Sequence, residues 1–349
     1  MKLGIIGTGR IAKRAIKELA FVDGIDAVAV YNPNYDHALE FVTKQKELAG
    51  ESGMTRLDEL KAMPGLDAFM DVVDAAYIAT PHGTHHDYAR RMLQSGKHVL
   101  CEKPMVFDPA QAKELYDLAQ NVDTVLMEAI KTAYCPGFMK LEEVVESGVI
   151  GNVVDVEAAF TRLTSPGCRE FDQAAHGGAF TEFGTYTMLP IFRFLGVDYD
   201  DVRFQSVMTE TGVDGYTKAT FGFGASEPRL KHAQSSSICA TATAKTGLTV
   251  KSEGQLLISG TKGYILVPSP WWLTRHFEVR FEDPSHVDSY DFEFEGDGLR
   301  YEFREFVRRV DECRSSKVLF QDQKLFYQKE RDEAIARAEV FGKMMEHEC

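Results

Sequence analysis

A chain of 349 residues is long for one hydrophobic core, which usually stops growing at roughly 250 to 300 residues, so two domains are expected. Its 44% apolar and 26% charged residues are an ordinary globular balance, and no run of about 20 apolar residues is available to cross a bilayer. With 39 Lys and Arg against 53 Asp and Glu, the formal charge of -14 argues against nucleic acid or an anionic membrane as partner and for a small molecule.

The opening MKLGIIGTGRIAKR has too short an apolar stretch for a signal-peptide core and runs straight into a glycine turn, so it reads as mature structure. Leu3 to Ile6 and Ile25 to Val30 read as buried strands, separated by a helix whose inward face is Ile11, Ala15 and Leu19. A third apolar run, Ala75 to Ala79, ends in Thr80-Pro81-His82-Gly83. Thr84 and Asp87 then stand at capping-box spacing and start a helix whose inward face is Tyr88, Ala89, Met92 and Leu93. Gly96 supplies a left-handed stop before a strand from His98 to Cys101. Asp108-Pro109, with Gln111 behind it, opens the next helix, and Val122 to Met127 reads as a last parallel strand.

This alternation predicts a doubly wound parallel sheet of the Rossmann type over residues 1–124. From 125 to 349 the pattern becomes that of an α+β domain with a mostly antiparallel open sheet. It has helices at Pro136 to Ser147 and Gly178 to Leu195 and a strand near Val153 to Phe160. Further strands follow at Val202 to Val207, Tyr216 to Phe223, Ser236 to Ala244, Gln255 to Ser259 and Tyr264 to Val267. Phe303, Phe306, Val307 and Val310 make one face of a C-terminal helix, and Ala334, Ala338 and Phe341 make another beyond a break at Arg314-Ser315-Ser316. These last helices are placed to pack back on the first domain. The cysteines, Cys101, Cys135, Cys168, Cys239, Cys313 and Cys349, show no C-x-x-C spacing and fit a reducing cytoplasm.

Gly7-Thr8-Gly9-Arg10-Ile11-Ala12 lies between the first strand and the first helix, where dinucleotides bind such sheets. Gly7 permits the tight turn, Gly9 lets a pyrophosphate approach the backbone, Ala12 lets helix and strand pack closely, and the helix N-terminus offers N–H groups to the anion. Where an acid would select NAD or a cation NADP, the second strand ends in Tyr31-Asn32-Pro33-Asn34. Asn32 suits a ribose hydroxyl or a phosphate, so NAD and NADP both stand, and Asn32-Pro33 also reads simply as a turn.

Leu100-Cys101-Glu102-Lys103-Pro104 puts a charged pair just past a buried strand, at the sheet edge where ligands bind, with an X-Pro bond able to be cis. With GIIGTGRIA, ATPHGTHHDYA, SGKHVLCEKP, LMEA (126–129), SGVIG (147–151) and GTKGYI (260–265), the chain resembles the Gfo/Idh/MocA oxidoreductases along nearly its whole length. The resemblance implies a catalytic lysine at Lys103, a cofactor contact at Glu102, and nicotinamide-side contacts from Thr80, Pro81 and His85. It also implies a homo-oligomer formed through the C-terminal sheet.

A second family signature is matched by Gly177-Gly178-Ala179-Phe180-Thr181-Glu182-Phe183-Gly184-Thr185-Tyr186. Its final Tyr186 resembles the branch of dihydrodiol and aldose dehydrogenases, and Glu182 stands for the usual Asp; two and four residues after Ala129, Lys131 and Ala133 replace the Trp and Arg often found in that branch, which implies a different substrate pocket with Lys131 as a candidate substrate contact. Hydride transfer needs a group to handle the hydroxyl proton, and a cation beside Tyr186 would favour its phenolate, so Lys103 and Tyr186 form the expected catalytic pair. Glu182 and Tyr186, four apart on one helix face, point the same way, with Glu182 expected to orient Lys103 or a substrate hydroxyl. His176 reads as a substrate contact or an exposed loop histidine. His82, His85 and His86 do not read as metal ligands, because His82 precedes the helix and the other two point apart. The function expected is an NAD(P)-dependent dehydrogenase acting on a sugar, cyclitol or dihydrodiol. The rival is a non-catalytic dinucleotide- or sugar-binding sensor on the same fold.

Overall fold

The computed structural model describes residues 1–51, 57–226, 238–315 and 321–347. Ser236, Ser237, Ser316 and Cys349, named above, lie outside the described residues. Met1–Val106, Ala110–Lys131 and Glu295–Arg331 form one compact unit, and Phe107–Pro109, Thr132–Phe294 and Asp332–Cys349 form another.

In the first unit the chain runs β1 (Lys2–Ile6), α1 (Arg10–Leu19), β2 (Asp26–Tyr31), α2 (Tyr35–Glu51), β3 (Lys61–Ala62), α3 (Leu66–Val72) and β4 (Ala75–Ile78). It continues with α4 (His85–Gln94), β5 (His98–Glu102), α5 (Pro109–Asn121) and β6 (Leu126–Ala129). The strands lie in the order β3-β2-β1-β4-β5-β6 and pair in parallel throughout. This order reverses between β1 and β4, which is the switch point where doubly wound sheets open a ligand crevice. β4, β5 and β6 are buried along their whole length, which is why Ala-Ala-Tyr-Ile, His-Val-Leu-Cys-Glu and Leu-Met-Glu-Ala read as continuous apolar runs.

Two local expectations are corrected. Thr84 does not cap α4 with its side chain; its hydroxyl donates backwards to the Pro81 carbonyl at 2.7 Å. β6 begins at Leu126 rather than Val122, because the chain turns through a left-handed Asp123 (φ 51) before the sheet is reached. Gly96 takes the expected left-handed conformation (φ 68).

The second unit holds α6 (Pro136–Glu146), β7 (Val153–Thr161), α7 (Ala179–Leu195), β8 (Asp201–Met208), β9 (Asp214–Ser226) and β10 (Ile238–Gly247). β11 (Leu256–Gly260), β12 (Tyr264–Val267), β13 (His276–Arg280) and β14 (Val287–Asp291) complete its sheet. The order is β14-β13-β12-β11-β7-β10-β9-β8, antiparallel except where β10 runs parallel to β7. α7 lies against β7, β9 and β10 and is buried at nearly every residue, while β13 and β8 alternate in burial along the strand as a one-sided sheet requires. Phe160, Phe171, Ala179, Phe183, Val213 and Leu248 form the core beneath α7. Two helices end the chain, α8 (Leu299–Ser315) in the first unit and α9 (Gln321–His347). α8 packs on α1, with the Arg300 guanidinium bonded to both carboxylate oxygens of Glu18 at 2.8 and 3.0 Å.

Candidate active site

The glycine turn of the first unit is built as the motif demands. Gly7 has φ 110, and a Cβ there would stand 2.4 Å from the Ala79 carbonyl oxygen, so no other residue fits between β1 and β4. At Gly9 the opposite holds: a Cβ would meet nothing within 4 Å, leaving bare backbone beside the head of α1. No side chain caps that helix and its first turn has no acid, so its N–H dipoles remain available to an anion. Ala12 is fully buried, Thr8 and Ile11 half-buried and Arg10 exposed. These features fit a dinucleotide diphosphate.

Asn32 is used twice. Its amide donates to the Thr8 hydroxyl at 2.9 Å, and its carbonyl accepts the Asn34 N–H at 2.9 Å. The turn reading of Asn32-Pro33 therefore holds, and the same side chain ties the end of β2 to the glycine loop.

At the ends of β4 and β5, one ring holds two turns together. His85 is 0% exposed, with Nδ1 2.9 Å from the Pro104 carbonyl oxygen and Nε2 2.9 Å from that of Thr80. Burial, and to a lesser degree the charge of Lys103, hold its pKa below the ordinary histidine value. The imidazole thus faces backbone, where Thr80 is half-buried and Pro81 exposed. The Lys103-Pro104 bond is cis. Lys103 itself is half-buried, and its N–H donates to Glu102 Oε2 at 3.3 Å. Glu102 is buried, and its Oε1 accepts the Tyr77 hydroxyl. Burial raises the Glu102 pKa, against the pull of the Tyr77 hydroxyl, Lys103 and Lys131. Behind the turn, buried Glu128 accepts the Met105 N–H at 3.0 Å.

Lys131 extends this cluster. Its ammonium donates to the Asp297 carbonyl at 2.5 Å, and burial and the Arg14 cation lower its pKa while Glu302, Asp297 and Glu102 support its charge. It is engaged inside the first unit.

In the second unit the paired glycines have a visible cause. A Cβ on Gly177 would stand 2.6 Å from the Glu170 carbonyl oxygen, and one on Gly178 (φ 130) would stand 2.3 Å from Oδ1 of Asp214. Asp214, reaching in from the start of β9, accepts the Phe180 N–H at 2.9 Å and the Thr217 hydroxyl at 2.6 Å, and so caps α7 from another strand. Burial raises its pKa while those donors pull it down. Glu182, in the first turn of α7, is 5% exposed and paired with Arg169 at 2.5 Å. One turn on, half-buried Tyr186 lies against Phe160, with 5.3 Å between ring centroids. His176 is exposed and left-handed (φ 53), with its ring 5.1 Å from that of Phe107.

Tyr77, Arg169, Asp214 and Glu302 were not singled out in the sequence. Of these, Asp214 left a readable trace, in the Gly178 that makes room for it.

Residues 1–130 match the family model described as an oxidoreductase family with an NAD-binding Rossmann fold. Over 89% of both chains the protein is 27% identical to scyllo-inositol 2-dehydrogenase (NADP(+)) IolU of Bacillus subtilis. It is also 27% identical, over 88% of both, to trans-1,2-dihydrobenzene-1,2-diol dehydrogenase of Xenopus laevis. KijD10, a 3-ketoreductase from Actinomadura kijaniata solved with NADP and TDP-benzene, shares the fold with a TM-score of 0.74 and 21% identity, covering 98% of this chain and 95% of that one. The glycine turn, the strand-end Glu-Lys-Pro and this run of relatives point the same way: the chain is similar to the Gfo/Idh/MocA oxidoreductases, and its first 130 residues match their NAD-binding Rossmann fold.

Proposed function

We propose that the protein is a dehydrogenase moving a hydride between NAD or NADP and a secondary alcohol, or the matching carbonyl, of a sugar, cyclitol or dihydrodiol. The observation that carries this reading is the uncapped, side-chain-free turn at Gly7 and Gly9, placed at the switch point of the sheet that also presents Lys103. Named activities of the inositol and dihydrodiol dehydrogenase relatives supply the substrate class.

A nicotinamide held here would supply or accept the hydride when bound; the remaining work falls to the chain. The turn Gly7-Thr8-Gly9 and the α1 residues Arg10, Ile11 and Ala12 hold the diphosphate, and Asn32 offers its amide to a ribose hydroxyl or phosphate. Thr80 and Pro81 serve the nicotinamide side, with His85 acting through their backbone. Lys103 stabilises negative charge on the substrate oxygen, and Tyr186 passes the hydroxyl proton. Glu182, steadied by Arg169, orients a substrate hydroxyl; His176 is the further substrate contact. Lys131 is assigned to the acids of its own unit rather than to substrate. The protein is further proposed to work in the cytoplasm as a homo-oligomer joined through the second sheet, which light scattering checks.

The test is direct binding of NAD and NADP, followed by a polyol and aldose panel with wild type and Lys103→Met. Cofactor binding is expected to persist in the variant while turnover falls about a hundredfold or more, as loss of an acid–base group implies. Unchanged turnover would remove Lys103 from the chemistry. Cofactor binding with no turnover across the panel would favour the sensor.

A further inference from the structure

The first unit buries an acid that its fold does not need. Glu302, in the first turn of α8, is 0% exposed, and among the described residues neither carboxyl oxygen has a hydrogen-bond partner. Its neighbour Phe303 packs edge-on against Tyr77, with 5.2 Å between centroids, and Tyr77 donates to Glu102. Charges act on Glu302 from three other elements: Glu102 ends β5, Lys131 follows β6, and Arg14 lies on α1. Both cations have other acceptors, since Lys131 donates to the Asp297 carbonyl at 2.5 Å and Arg14 to the Asp297 carboxylate at 2.6 Å. Glu302 is thus a desolvated acid beside a better-served acid, with compensating charge close but turned elsewhere. An apolar residue of similar size would avoid that desolvation, so stability gives no reason for a carboxyl here. Burial and the Glu102 charge hold its pKa well above the usual carboxylate range, which favours the protonated form.

We infer that Glu302 is a proton-holding site coupled to the oxidation state of the nicotinamide, keeping its proton while the ring is neutral and yielding it to solvent when the ring is cationic. This rests on the reading that Glu102 contacts the cofactor. Oxidised and reduced dinucleotides carry the same phosphates and differ by one unit of charge in the ring. In a poorly solvated unit that single charge favours a carboxylate over a carboxylic acid. No electron moves in the step: an O–H bond of Glu302 breaks, and the proton leaves. By linkage, rising pH then favours the oxidised form of the bound cofactor over the reduced one.

Titration calorimetry with NADP and NADPH, and with NAD and NADH, in buffers of different ionisation enthalpy counts the protons exchanged on binding. Across about pH 6 to about 9, the oxidised form is expected to release up to about one proton more than the reduced form. The difference should vanish in Glu302→Gln and in Glu302→Leu, with melting temperatures equal to wild type or higher. A difference of undiminished size in both variants overturns the inference, as does equal proton exchange by the two forms in wild type. A melting temperature lowered by several degrees in both variants would assign Glu302 a structural role and overturn it too. If neither oxidation state binds wild type, the cofactor reading itself falls, and this inference with it.

Discussion

Both units pair buried charges, the first in Arg300 with Glu18, but the first also keeps one buried acid outside that pairing. In the second, Arg193 lies between Glu142 and Glu333, Glu182 has Arg169, and Asp214 receives the head of α7, so each of these acids meets a donor. In the first, Glu302 has no hydrogen-bond partner among the described residues, and Lys131 and Arg14 give their protons to Asp297 instead. Paired charges of the first kind hold elements in register, whereas an acid left over is free to change its charge when a ligand arrives. This difference separates a scaffold from a responsive site, and it is open to test by substitution.

The largest effect is expected where pairing is most complete. Arg193→Met leaves Glu333, 2% exposed, without its closest cation and removes the Arg193 pair from Glu142. Breaking a buried pair from one side typically costs about 3–5 kcal/mol, which chemical denaturation should register as a loss of stability. A cost under about 1 kcal/mol would mean that these charges are solvated and that the contrast is wrong.

Next comes a buried base in the first unit. His98, at the start of β5, accepts the Val125 N–H at 3.0 Å on its ring nitrogen, and burial, helped by Arg314, holds its pKa down to about 4 against 6.5 for the free side chain. Between these values the unfolded chain binds the extra proton, so this contribution is whole above pH 6.5 and is lost as pH falls toward about 4. The loss amounts to roughly 3–4 kcal/mol at about 1.4 per pH unit, and stability against pH for wild type and His98→Asn should diverge in that window.

Asp214→Ala follows. It removes a remote cap from α7 and leaves the Thr217 hydroxyl without its acceptor, for a loss of about 2 kcal/mol in the same denaturation assay. Asp214→Asn, which retains an acceptor oxygen, should recover most of it.

How far the sequence carries the reader depends on the same division. β4, β5 and β6 are buried on both faces, so their apolar runs announce a parallel sheet, and the turns that follow them hold Thr80, Pro81, Lys103 and Lys131. β13 and β14 read His-Phe-Glu-Val-Arg and Val-Asp-Ser-Tyr-Asp; with only every second side chain facing inward, they pass for polar loop and were not anticipated. α2 was missed for a related reason, since its apolar residues are diluted by charge over 17 positions. In the candidate site, Gly177 and Gly178 were legible as a motif, but the motive for Gly178 lies more than 30 residues away, in the Asp214 carboxylate that needs its space, while Gly177 clears the Glu170 carbonyl. Arg169 and Glu302 gave no local signal, because a buried partnership, or its absence, exists only once distant segments meet. The bond from the Lys131 ammonium to the Asp297 carbonyl, 166 residues along the chain, was likewise not readable locally.

The smallest expected effect has the opposite sign and bears hardest on the contrast. Glu302→Leu replaces a buried carboxyl that has no hydrogen-bond partner among the described residues by a side chain with no polar atom to desolvate. Were Glu302 part of a scaffold like that around Arg193, its removal would cost stability. On the geometry of α8 against Tyr77 and Glu102 it should instead be neutral or stabilising by about 1–2 kcal/mol, because the penalty for an unsatisfied buried group is relieved and little attraction is given up. The gain should grow as pH rises, since the unfolded carboxyl ionises near its ordinary value of 4.5 whereas the folded one holds its proton well above it. Between those limits the native state binds more protons, and wild type loses stability with increasing pH in a way the leucine variant cannot. Denaturation curves at two pH values, one near 5 and one near 8, therefore suffice. A leucine variant less stable than wild type at both would place Glu302 among the structural charges and erase the distinction between the units.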